Sequence, residues 1–386
     1  MFFTINNSYC GYLSTCIASI LDNVDPKYIL HFYIIDGGIS QENKQIIQNL
    51  QIDEKYIIEF ITIDTELFQK FPQSSQEHIS IETNYRFLVS SLKSHLDKCI
   101  FLDADLIFLG DISKLWQIDI KDYYIAAVSD QTPLLKDNHW ILSWISKLPL
   151  PSNYAYINTG VTLINLKKWR EDKVEALFFQ NIEKYHKILA FPDQDILNIT
   201  LYKHVKYLSH IYNAMPIQTY ANKKQEKEAF SNPQIIHWAG YKKPWLYIDA
   251  PYADKFWYYA KKTPFYDKMI NSRTIYGASQ RIKSQLSYKL GSHLLEAKSP
   301  LKALFLPITL SYITIKHKIR NFIFAQVGNA NPDLKLPKLN TYADYHEALE
   351  IQEHLSYKLG NALINHPFSF IFRVRKIYKT WKRKKQ

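Results

Sequence analysis

The chain has 386 residues, of which 48 are Lys or Arg and 36 are Asp or Glu, for a formal net charge of +12. Residues 261–386 hold 23 of the basic and 7 of the acidic residues, whereas residues 1–260 carry a net charge of −4. An apolar fraction of 47% excludes a disordered chain. The three cysteines (Cys10, Cys16 and Cys99) exclude a disulfide framework and show no metal-ligand spacing, which favours a reducing compartment.

Strand and helix patterns alternate through the first hundred residues. Runs of β-forming residues predict strands at residues 2–5, 28–35, 56–63 and 99–103, and the spacing of apolar residues predicts helices at residues 10–21, 40–50 and 84–96. This order predicts an α/β fold with a mostly parallel sheet and ligands at the carboxyl ends of its strands. Gly-rich phosphate-binding motifs are missing from the sequence, so a bound nucleotide would be held through a metal ion.

No secretory signal and no transmembrane helix are expected. The first basic residue is Lys27, and Asn6 with Asn7 interrupts the early apolar run. The longest late apolar stretch, residues 303–315, has 13 residues and contains Pro307, whereas a membrane crossing needs about 20 residues.

An acidic pair, Asp103 and Asp105, follows the apolar strand predicted at residues 99–103. On an extended segment, side chains at i and i+2 point to the same side. Two carboxylates this close repel each other unless they share a cation, and their hard oxygens suit Mg²⁺ or Mn²⁺. Such an ion would neutralise a diphosphate leaving group. The alternative interpretation is a turn with two solvated acids.

Two further segments carry candidate chemistry. Asp193 and Asp195 open a helical run, where the alternative role of Asp193 is to cap the helix. His237 ends an apolar run, and Lys243 follows a turn that contains Gly240, so the lysine could pair with a phosphate. For a single histidine at a strand end, the alternative is simple packing or solvation.

Together these segments resemble the retaining glycosyltransferases of family 8, and most closely the bacterial lipopolysaccharide and lipooligosaccharide α-galactosyltransferases. The resemblance covers about residues 1–260 and implies a GT-A-type fold, a single nucleotide-binding domain with a mostly parallel mixed sheet. The motifs that carry it, in the order of the family, are Asp36-Gly-Gly-Ile-Ser40, His78-Ile-Ser80, Tyr85-Arg86, Leu102-Asp-Ala-Asp105, Asn158 to Gly160, Asp193-Gln-Asp-Ile-Leu-Asn198 and His237 to Trp245.

The resemblance also implies a set of site residues around Mn²⁺ (or Mg²⁺) and a UDP-hexose donor. The implied metal ligands are Asp103, Asp105 and His237. The implied nucleotide-binding residues are Thr4, Ile5, Asn6, Tyr9, Arg86, Asp103, Ala104, Asp105, Gly240 and Lys243. The implied sugar-binding and catalytic residues are Arg86, Asp130, Asn158, Asp193, Gln194 and Asp195. The chain departs from the family pattern at two positions: the family usually has Asp where this chain has Asn6, and commonly has Asn where this chain has Ser8. The amide oxygen of Asn6 can still accept a hydrogen bond from the base.

Retention of the anomeric configuration, which the resemblance implies, leaves two routes open. In a double displacement, Gln194 or Asp195 would act as the nucleophile. In a same-face mechanism, the leaving phosphate would deprotonate the acceptor hydroxyl. A neutral amide is a poor nucleophile, which favours the second route, with Asp193, Gln194 and Asp195 positioning the sugar and stabilising positive charge.

The basic region contains an internal echo, because the six residues at 286–291 recur identically at 355–360. One helical face carries Phe370, Val374, Ile377 and Trp381, and many basic residues lie beside it. This pattern is typical of a helix that lies on anionic lipid. Residues 301–323 show a similar combination of apolar and basic residues. The alternatives are packing on the body, oligomerisation, or nucleic-acid binding, which we do not expect.

We therefore expect four segments: a catalytic domain at 1–262, a basic aromatic helical extension at 263–325, a linker at 326–340, and an amphipathic basic module at 341–386 that echoes 284–325. The expected function is metal-dependent transfer of galactose or glucose from a UDP-sugar to a lipid-linked oligosaccharide of the lipopolysaccharide or lipooligosaccharide type. The expected location is cytoplasmic and peripheral, on the inner face of the bacterial inner membrane. The alternatives are a protein or another surface glycan as acceptor, or an inactive membrane scaffold.

Overall fold

A computed structural model describes residues 1–50, 56–68, 81–130, 143–217, 220, 222–240, 242–247, 249–272, 277–297, 299, 304–330 and 336–385. The chain divides into two compact units. The first consists of Met1–Pro244 and Ala250–Ser272, and the second of Trp245–Asp249 and Arg273–Gln386.

The strands of the first unit form one large sheet and one small ribbon. In its described residues these strands are β1 Phe2–Ile5, β2 Leu30–Asp36, β3 Tyr56–Ile61, β4 Lys98–Leu102, β5 Leu106–Phe108, β6 Ile125–Ser129, β7 Ile157–Asn165, β8 Val205–Tyr207 and β9 Ile235–His237. The large sheet has the order β3-β2-β1-β4-β7-β6-β8. Only β7 is antiparallel to its neighbours in it, while β5 and β9 form the antiparallel ribbon. The predicted α/β fold with a mostly parallel mixed sheet is confirmed.

The helices predicted at residues 10–21 and 40–50 are confirmed. The α-helices described in the first unit are α1 Cys10–Asn23, α2 Gln41–Gln48, α3 Val89–Leu92, α4 Ser113–Trp116, α5 Leu166–Glu171, α6 Val174–Tyr185, α7 Pro192–Leu201, α8 Lys223–Ser231, α9 Ala253–Ala260 and α10 Tyr266–Ser272. Short 3₁₀ helices lie at Asn7–Tyr9, Thr65–Phe68, Ile81–Leu88, Tyr202–His204 and His210–Asn213.

The helix predicted at residues 84–96 is confirmed only as far as Leu92, and it is not one continuous α-helix. The segment is the end of the 3₁₀ helix Ile81–Leu88 followed by the short helix α3. Arg86 Nε donates to the Thr83 carbonyl at 2.9 Å, and the Ser91 hydroxyl donates to the Leu88 carbonyl at 3.0 Å. Side chains that bond nearby carbonyls compete with a continuous α-helical ladder.

The order of the strands creates a crevice at one edge of the sheet. β1 pairs in parallel with β2 on one side and with β4 on the other. In an open parallel sheet, chain connections diverge at such a point and leave room for a ligand beyond the carboxyl ends of the two strands. Residues 6–9 follow β1 there, and residues 103–105 follow β4.

The second unit is helical. Its described α-helices are α11 Ala278–Ser284, α12 Leu286–Glu296, α13 Leu306–Ala330, α14 Tyr345–Gln352, α15 Leu355–Asn365 and α16 Phe370–Lys385, with a 3₁₀ helix at Leu339–Thr341. Helix α13 continues to Ala330, past the start of the linker predicted at residues 326–340, and its one proline, Pro307, lies in the first turn, where proline is tolerated. No helix in the described part of the chain combines the length and the hydropathy needed to cross a bilayer.

The two copies of the repeated hexapeptide meet in the second unit. A Cβ atom added to Gly291 would overlap the Ser356 carbonyl oxygen, and one added to Gly360 would overlap the Ser287 carbonyl oxygen. Residue 291 corresponds to residue 360, and residue 287 to residue 356, so the contact is reciprocal, as at a two-fold interface. Helices α12 and α15 therefore cross with their backbones in direct contact.

We expect Gly291→Ala to destabilise the second unit by roughly 1–3 kcal/mol or more, because a methyl group would force the two helix backbones apart. Gly360→Ala should have a similar effect. The matched control is Asn361→Ala on the exposed side of α15, which should change stability by less than about 0.5 kcal/mol. Native-state hydrogen exchange of α12 and α15 measures the effect within this unit. Equal protection in Gly291→Ala and Asn361→Ala would contradict the expectation.

Candidate active site

Two acidic side chains and one histidine converge beyond β4. Asp103 and Asp105 lie in the bend between β4 and β5, and His237 ends β9, where it pairs with Leu106 of β5. His237 Nε2 lies 3.4 Å from Asp105 Oδ1 and 3.9 Å from Asp103 Oδ2. One ligand atom from each of the three residues lies within 4.8 Å of the others. The expected extended geometry of the acidic pair is wrong, since the chain bends after Leu102, but the two carboxylates still converge.

Asp105 offers a direct test of whether a metal ion fits this cluster. Its Oδ1 atom is buried and accepts no hydrogen bond, which is costly for a carboxylate oxygen that no cation neutralises. Its Oδ2 atom accepts a hydrogen bond from Lys243. Although burial opposes ionisation, the ammonium group of Lys243 holds the pKa of Asp105 below its usual range. Two carboxylates and one imidazole nitrogen form a donor set that fits a divalent cation such as Mn²⁺.

Gly160 of β7 provides the space in which the cluster forms. A Cβ atom at this position would overlap His237 Cε1 and would stand 2.8 Å from Asp103 Oδ2. Asp103 N also donates to the Gly160 carbonyl at 2.8 Å, which fixes the start of the bend against β7. A side chain at residue 160 is therefore incompatible with the observed approach of His237 to Asp103.

Arg86 links the two acidic pairs. Its Nη2 donates to Asp103 Oδ1 at 2.7 Å, and its Nε lies 3.2 Å from Asp193 Oδ2. Its Nε also donates to the Thr83 carbonyl, and its Nη1 donates to the Thr159 carbonyl, each at 2.9 Å. The residue is only 3% exposed, so its charge is compensated almost entirely by these neighbours.

Asp193 is not the cap of helix α7, so that alternative is wrong. The helix begins at Pro192, and no side chain caps it from Phe191. The Asp193 carboxylate instead pairs with Arg86 and is 5% exposed. Burial raises the pKa of Asp193, while the charge of Arg86 opposes the rise.

A second polar cluster consists of Asp130, which follows β6, Asn158 of β7 and Gln194 of α7. Asp130 Oδ2 accepts hydrogen bonds from Asn158 Nδ2 at 3.0 Å and from Gln194 Nε2 at 3.2 Å. Gln194 Oε1 accepts from the Thr159 backbone N–H at 3.1 Å. The structure thus brings these three expected sugar-binding residues together.

Asp195 faces away from that cluster and is fully buried. Its Oδ1 accepts a hydrogen bond from the Tyr156 hydroxyl at 2.5 Å, and its Oδ2 accepts from Trp144 Nε1 at 3.2 Å. The Ala190 and Phe191 backbone N–H groups also donate to Oδ2, at 2.8 and 3.0 Å. Burial raises the pKa of Asp195 to about 6, although these hydrogen bonds oppose the rise. Asp195 therefore ties down the start of α7.

The loop after β1 approaches the acidic pair. Burial raises the pKa of Tyr9, and the charges of Asp105 and Asp103 raise it further. Asn6 Oδ1 accepts hydrogen bonds from Ser8 N at 3.1 Å and from Ser8 Oγ at 2.6 Å. The two positions at which the chain departs from the family pattern thus contact each other. A base that used Asn6 Oδ1 as an acceptor would have to displace a Ser8 donor.

The other expected nucleotide-binding residues lie around the same crevice. The Thr4 hydroxyl donates to a backbone carbonyl at 2.9 Å, and Ile5 and Ala104 are buried. Gly240 has a φ of 116°, which favours glycine, in the turn that leads to Lys243. The His78-Ile-Ser80 motif lies outside the described residues.

A family model described as glycosyl transferase family 8 matches residues 1–249. The chain belongs to this family. A second family model, described as a domain of unknown function (DUF8374), matches residues 248–385. The fold is of the GT-A type, and the family implies a sugar donor and a glycan acceptor.

Relatives of known name agree with the family. A putative glycosyltransferase of Haemophilus influenzae is 32% identical over 63% of this chain and 72% of its own length. A lipopolysaccharide 1,2-glucosyltransferase of Escherichia coli is 31% identical over 62% of this chain and 71% of its own length. The crystal structure of the galactosyltransferase LgtC, solved with donor and acceptor sugar analogs, has a TM-score of 0.60 at 26% identity and covers 68% of this chain and 95% of that one.

Gly160 and Asn213 shape the site although the sequence does not predict a role for either. Gly160 lies within the motif Asn158 to Gly160, and a glycine inside a strand often marks a close approach of another group. Asn213 lies in no recognised motif, yet it is fully buried and its Oδ1 lies 2.9 Å from His237 Nδ1. The sequence does not show which residue each of them contacts, because each contact joins segments that are far apart in the chain.

Proposed function

We propose that this chain is a metal-dependent, retaining hexosyltransferase that moves galactose or glucose from a UDP-sugar to a lipopolysaccharide or lipooligosaccharide glycan. One observation carries the proposal: the buried Asp105 Oδ1, which accepts no hydrogen bond, lies beside Asp103 and His237 at the carboxyl ends of β1 and β4. The names of the E. coli glucosyltransferase relative and of LgtC support a hexose donor and a glycan of this class.

Each part of the crevice has a proposed role. Asp103, Asp105 and His237 would hold Mn²⁺ or Mg²⁺, which when bound neutralises the departing diphosphate. Lys243 would contribute an ammonium group to the same phosphates. Thr4, Ile5, Asn6, Tyr9, Ala104 and Gly240 would bind the nucleoside. Arg86, Asp130, Asn158, Asp193 and Gln194 would orient the sugar.

The same-face route is the mechanism that the contacts favour. Gln194 is a neutral amide held at both ends, and the Asp195 carboxylate is buried among four donors, so neither is placed as a nucleophile. We propose that the bond from the sugar to the phosphate breaks as the acceptor oxygen bonds to the same face. The leaving phosphate oxygen then takes the proton of the acceptor hydroxyl. Asp195 supports this step only by fixing the position of α7.

A donor panel tests the proposal. UDP-galactose, UDP-glucose and UDP-N-acetylglucosamine are each incubated with extracted lipooligosaccharide, with Mn²⁺ or with a chelator, and the product linkage is determined. We expect hexose transfer with retained configuration that the chelator abolishes and Mn²⁺ restores, with Asp105→Ala as the inactive reference. Wild-type protein that neither transfers nor hydrolyses any of these donors would favour the inactive scaffold, and transfer only to a protein or another glycan would favour the alternative acceptor.

We further propose that the second unit binds an anionic membrane surface, at the inner face of the bacterial inner membrane, where a lipid-linked acceptor would be presented. On α13, apolar residues recur at i, i+4, i+7, i+11 and i+14 along one face, and each is more than half exposed: Ile308, Tyr312, Ile315, Ile319 and Phe322. On α16 the expected face of Phe370, Val374, Ile377 and Trp381 is half-buried, and the exposed apolar residues are instead Ile371, Phe372 and Tyr378. Exposed apolar residues beside a strongly basic background suit anionic lipid.

Vesicle binding tests this surface in the full chain. Replacing Ile371 and Phe372 by serine should weaken binding to vesicles with about a quarter phosphatidylserine roughly tenfold, because two side chains that would insert into the interface are lost. Deleting residues 365–386 should weaken it further. The matched control is Leu177→Ser, an exposed apolar residue of the first unit. Unchanged binding in the double variant and in the deletion would argue against the surface.

A further inference from the structure

Asn213 lies between the metal-site cluster and the sugar-site cluster. It ends the 3₁₀ helix His210–Asn213, and the next residue, Ala214, is hydrogen-bonded to β9. Ala214 N donates to the Ile235 carbonyl, and His237 N donates to the Ala214 carbonyl, both at 2.9 Å. This pairing holds the fully buried Asn213 side chain directly beside His237.

The hydrogen bonds fix which way the Asn158 side chain faces. Asn158 Oδ1 lies 3.0 Å from the Gly160 backbone N–H, which can only donate. Asn158 Nδ2 therefore faces Asp130 Oδ2, at 3.0 Å. Since the Asn213 side chain lies 2.8 Å from the same Asn158 Oδ1, it must present its Nδ2 there as a second donor.

The orientation of Asn213 then fixes the tautomer of His237. With Nδ2 committed to Asn158, Asn213 presents Oδ1 to His237 Nδ1 at 2.9 Å. An amide oxygen only accepts, so Nδ1 carries a proton, and Nε2 is the ring nitrogen that can offer a lone pair to a cation beside Asp103 and Asp105. A neighbour that holds the other ring nitrogen in this way sets the orientation of a metal-binding histidine.

We propose that Asn213 is a positioning residue that couples the metal site to the sugar site. The Oδ1 atom of its amide sets the tautomer and orientation of His237. The Nδ2 atom begins a series of hydrogen bonds that runs through Asn158 and Asp130 to Gln194. The proposal rests on the proposed metal-dependent function, since the role of His237 as a ligand belongs to that function.

Two substitutions separate the two halves of this role. Asn213→Ala removes both hydrogen bonds, so the affinity for Mn²⁺ should fall about 10- to 100-fold. Asn213→Asp keeps an acceptor for His237 Nδ1 but has no donor for Asn158. It should keep Mn²⁺ affinity within about threefold, while the sugar cluster loses its support. Asn181→Ala is the matched control, because it deletes an asparagine hydrogen bond to Thr200 on α7, outside the two clusters.

The first measurement is Mn²⁺ binding in the absence of donor, followed by the electron paramagnetic resonance of the free ion. The second is calorimetry of UDP and of UDP-hexose with Mn²⁺ present. We expect Asn213→Asp to bind UDP like the wild type but to lose the extra affinity that the hexose provides. Wild-type Mn²⁺ affinity in Asn213→Ala, or identical behaviour of the two variants, would overturn the proposal. Wild-type protein that binds no Mn²⁺ would instead refute the proposed function.

Discussion

Replacing Gly160 by alanine is expected to remove metal binding and sugar transfer together, with activity at least about a hundredfold below that of the wild type. The added methyl group would occupy the position of His237 Cε1 and crowd Asp103 Oδ2. The imidazole is buried and held at Nδ1 by Asn213, so it has little room to rotate away without losing that bond. The substitution therefore separates His237 from the acidic pair without changing any of the three proposed ligands.

The matched control for this prediction is Gly110→Ala, in which the new methyl group meets the amide end of the Gln234 side chain, a flexible group outside the metal cluster. Mn²⁺ titration, donor hydrolysis and thermal unfolding are measured on both variants. We expect Gly110→Ala to bind Mn²⁺ normally. Normal Mn²⁺ affinity in Gly160→Ala would show that His237 does not need its observed position and would weaken its assignment as a ligand.

The sequence predicted the four adjacent strands β1 to β4 and the acidic pair that follows β4. Those predictions succeed because a buried parallel strand needs a continuous apolar run, and because residues that follow β1 and β4 must meet at one edge of the sheet. Resemblance to the family added the expected role of His237 as a metal ligand and the expected sugar-binding roles of Asp130, Asn158 and Gln194. Local sequence patterns could not predict contacts between distant segments. Examples are the close approach of Gly160 to His237 and the contacts of Arg86 with both acidic pairs.

The second acidic pair, Asp193 and Asp195, has the same spacing in the sequence as Asp103 and Asp105, but its two carboxylates do not converge. Asp103 and Asp105 lie in a bend and converge, whereas Asp193 and Asp195 lie on α7. Successive helical residues are rotated by about 100°, so residues two apart point to nearly opposite sides. Asp193 consequently reaches Arg86, while Asp195 turns into the core. The spacing of two acidic residues therefore does not predict whether their side chains converge unless the backbone conformation is also known.

Arg86→Ala is expected to destabilise the first unit by roughly 3–5 kcal/mol, because it leaves Asp103 and Asp193 without their shared cation in a buried site. Arg86→Lys keeps one positive charge but cannot reproduce hydrogen bonds in several directions from one planar group. We therefore expect the lysine variant to fold, with a smaller loss of stability, and to transfer sugar at least about tenfold more slowly.

Thermal unfolding and transfer rates distinguish these outcomes. The matched control is Arg170→Ala, whose ion pair with Asp97 at 3.6 Å is more exposed and should contribute no more than about 1 kcal/mol. Full stability and activity in Arg86→Lys would mean that Arg86 acts only as a point charge. Loss of activity with retained stability would instead support its proposed role of aligning the metal-site and sugar-site carboxylates. Because one guanidinium contacts both pairs, its loss should affect metal binding and sugar binding together, unlike Asn213→Asp.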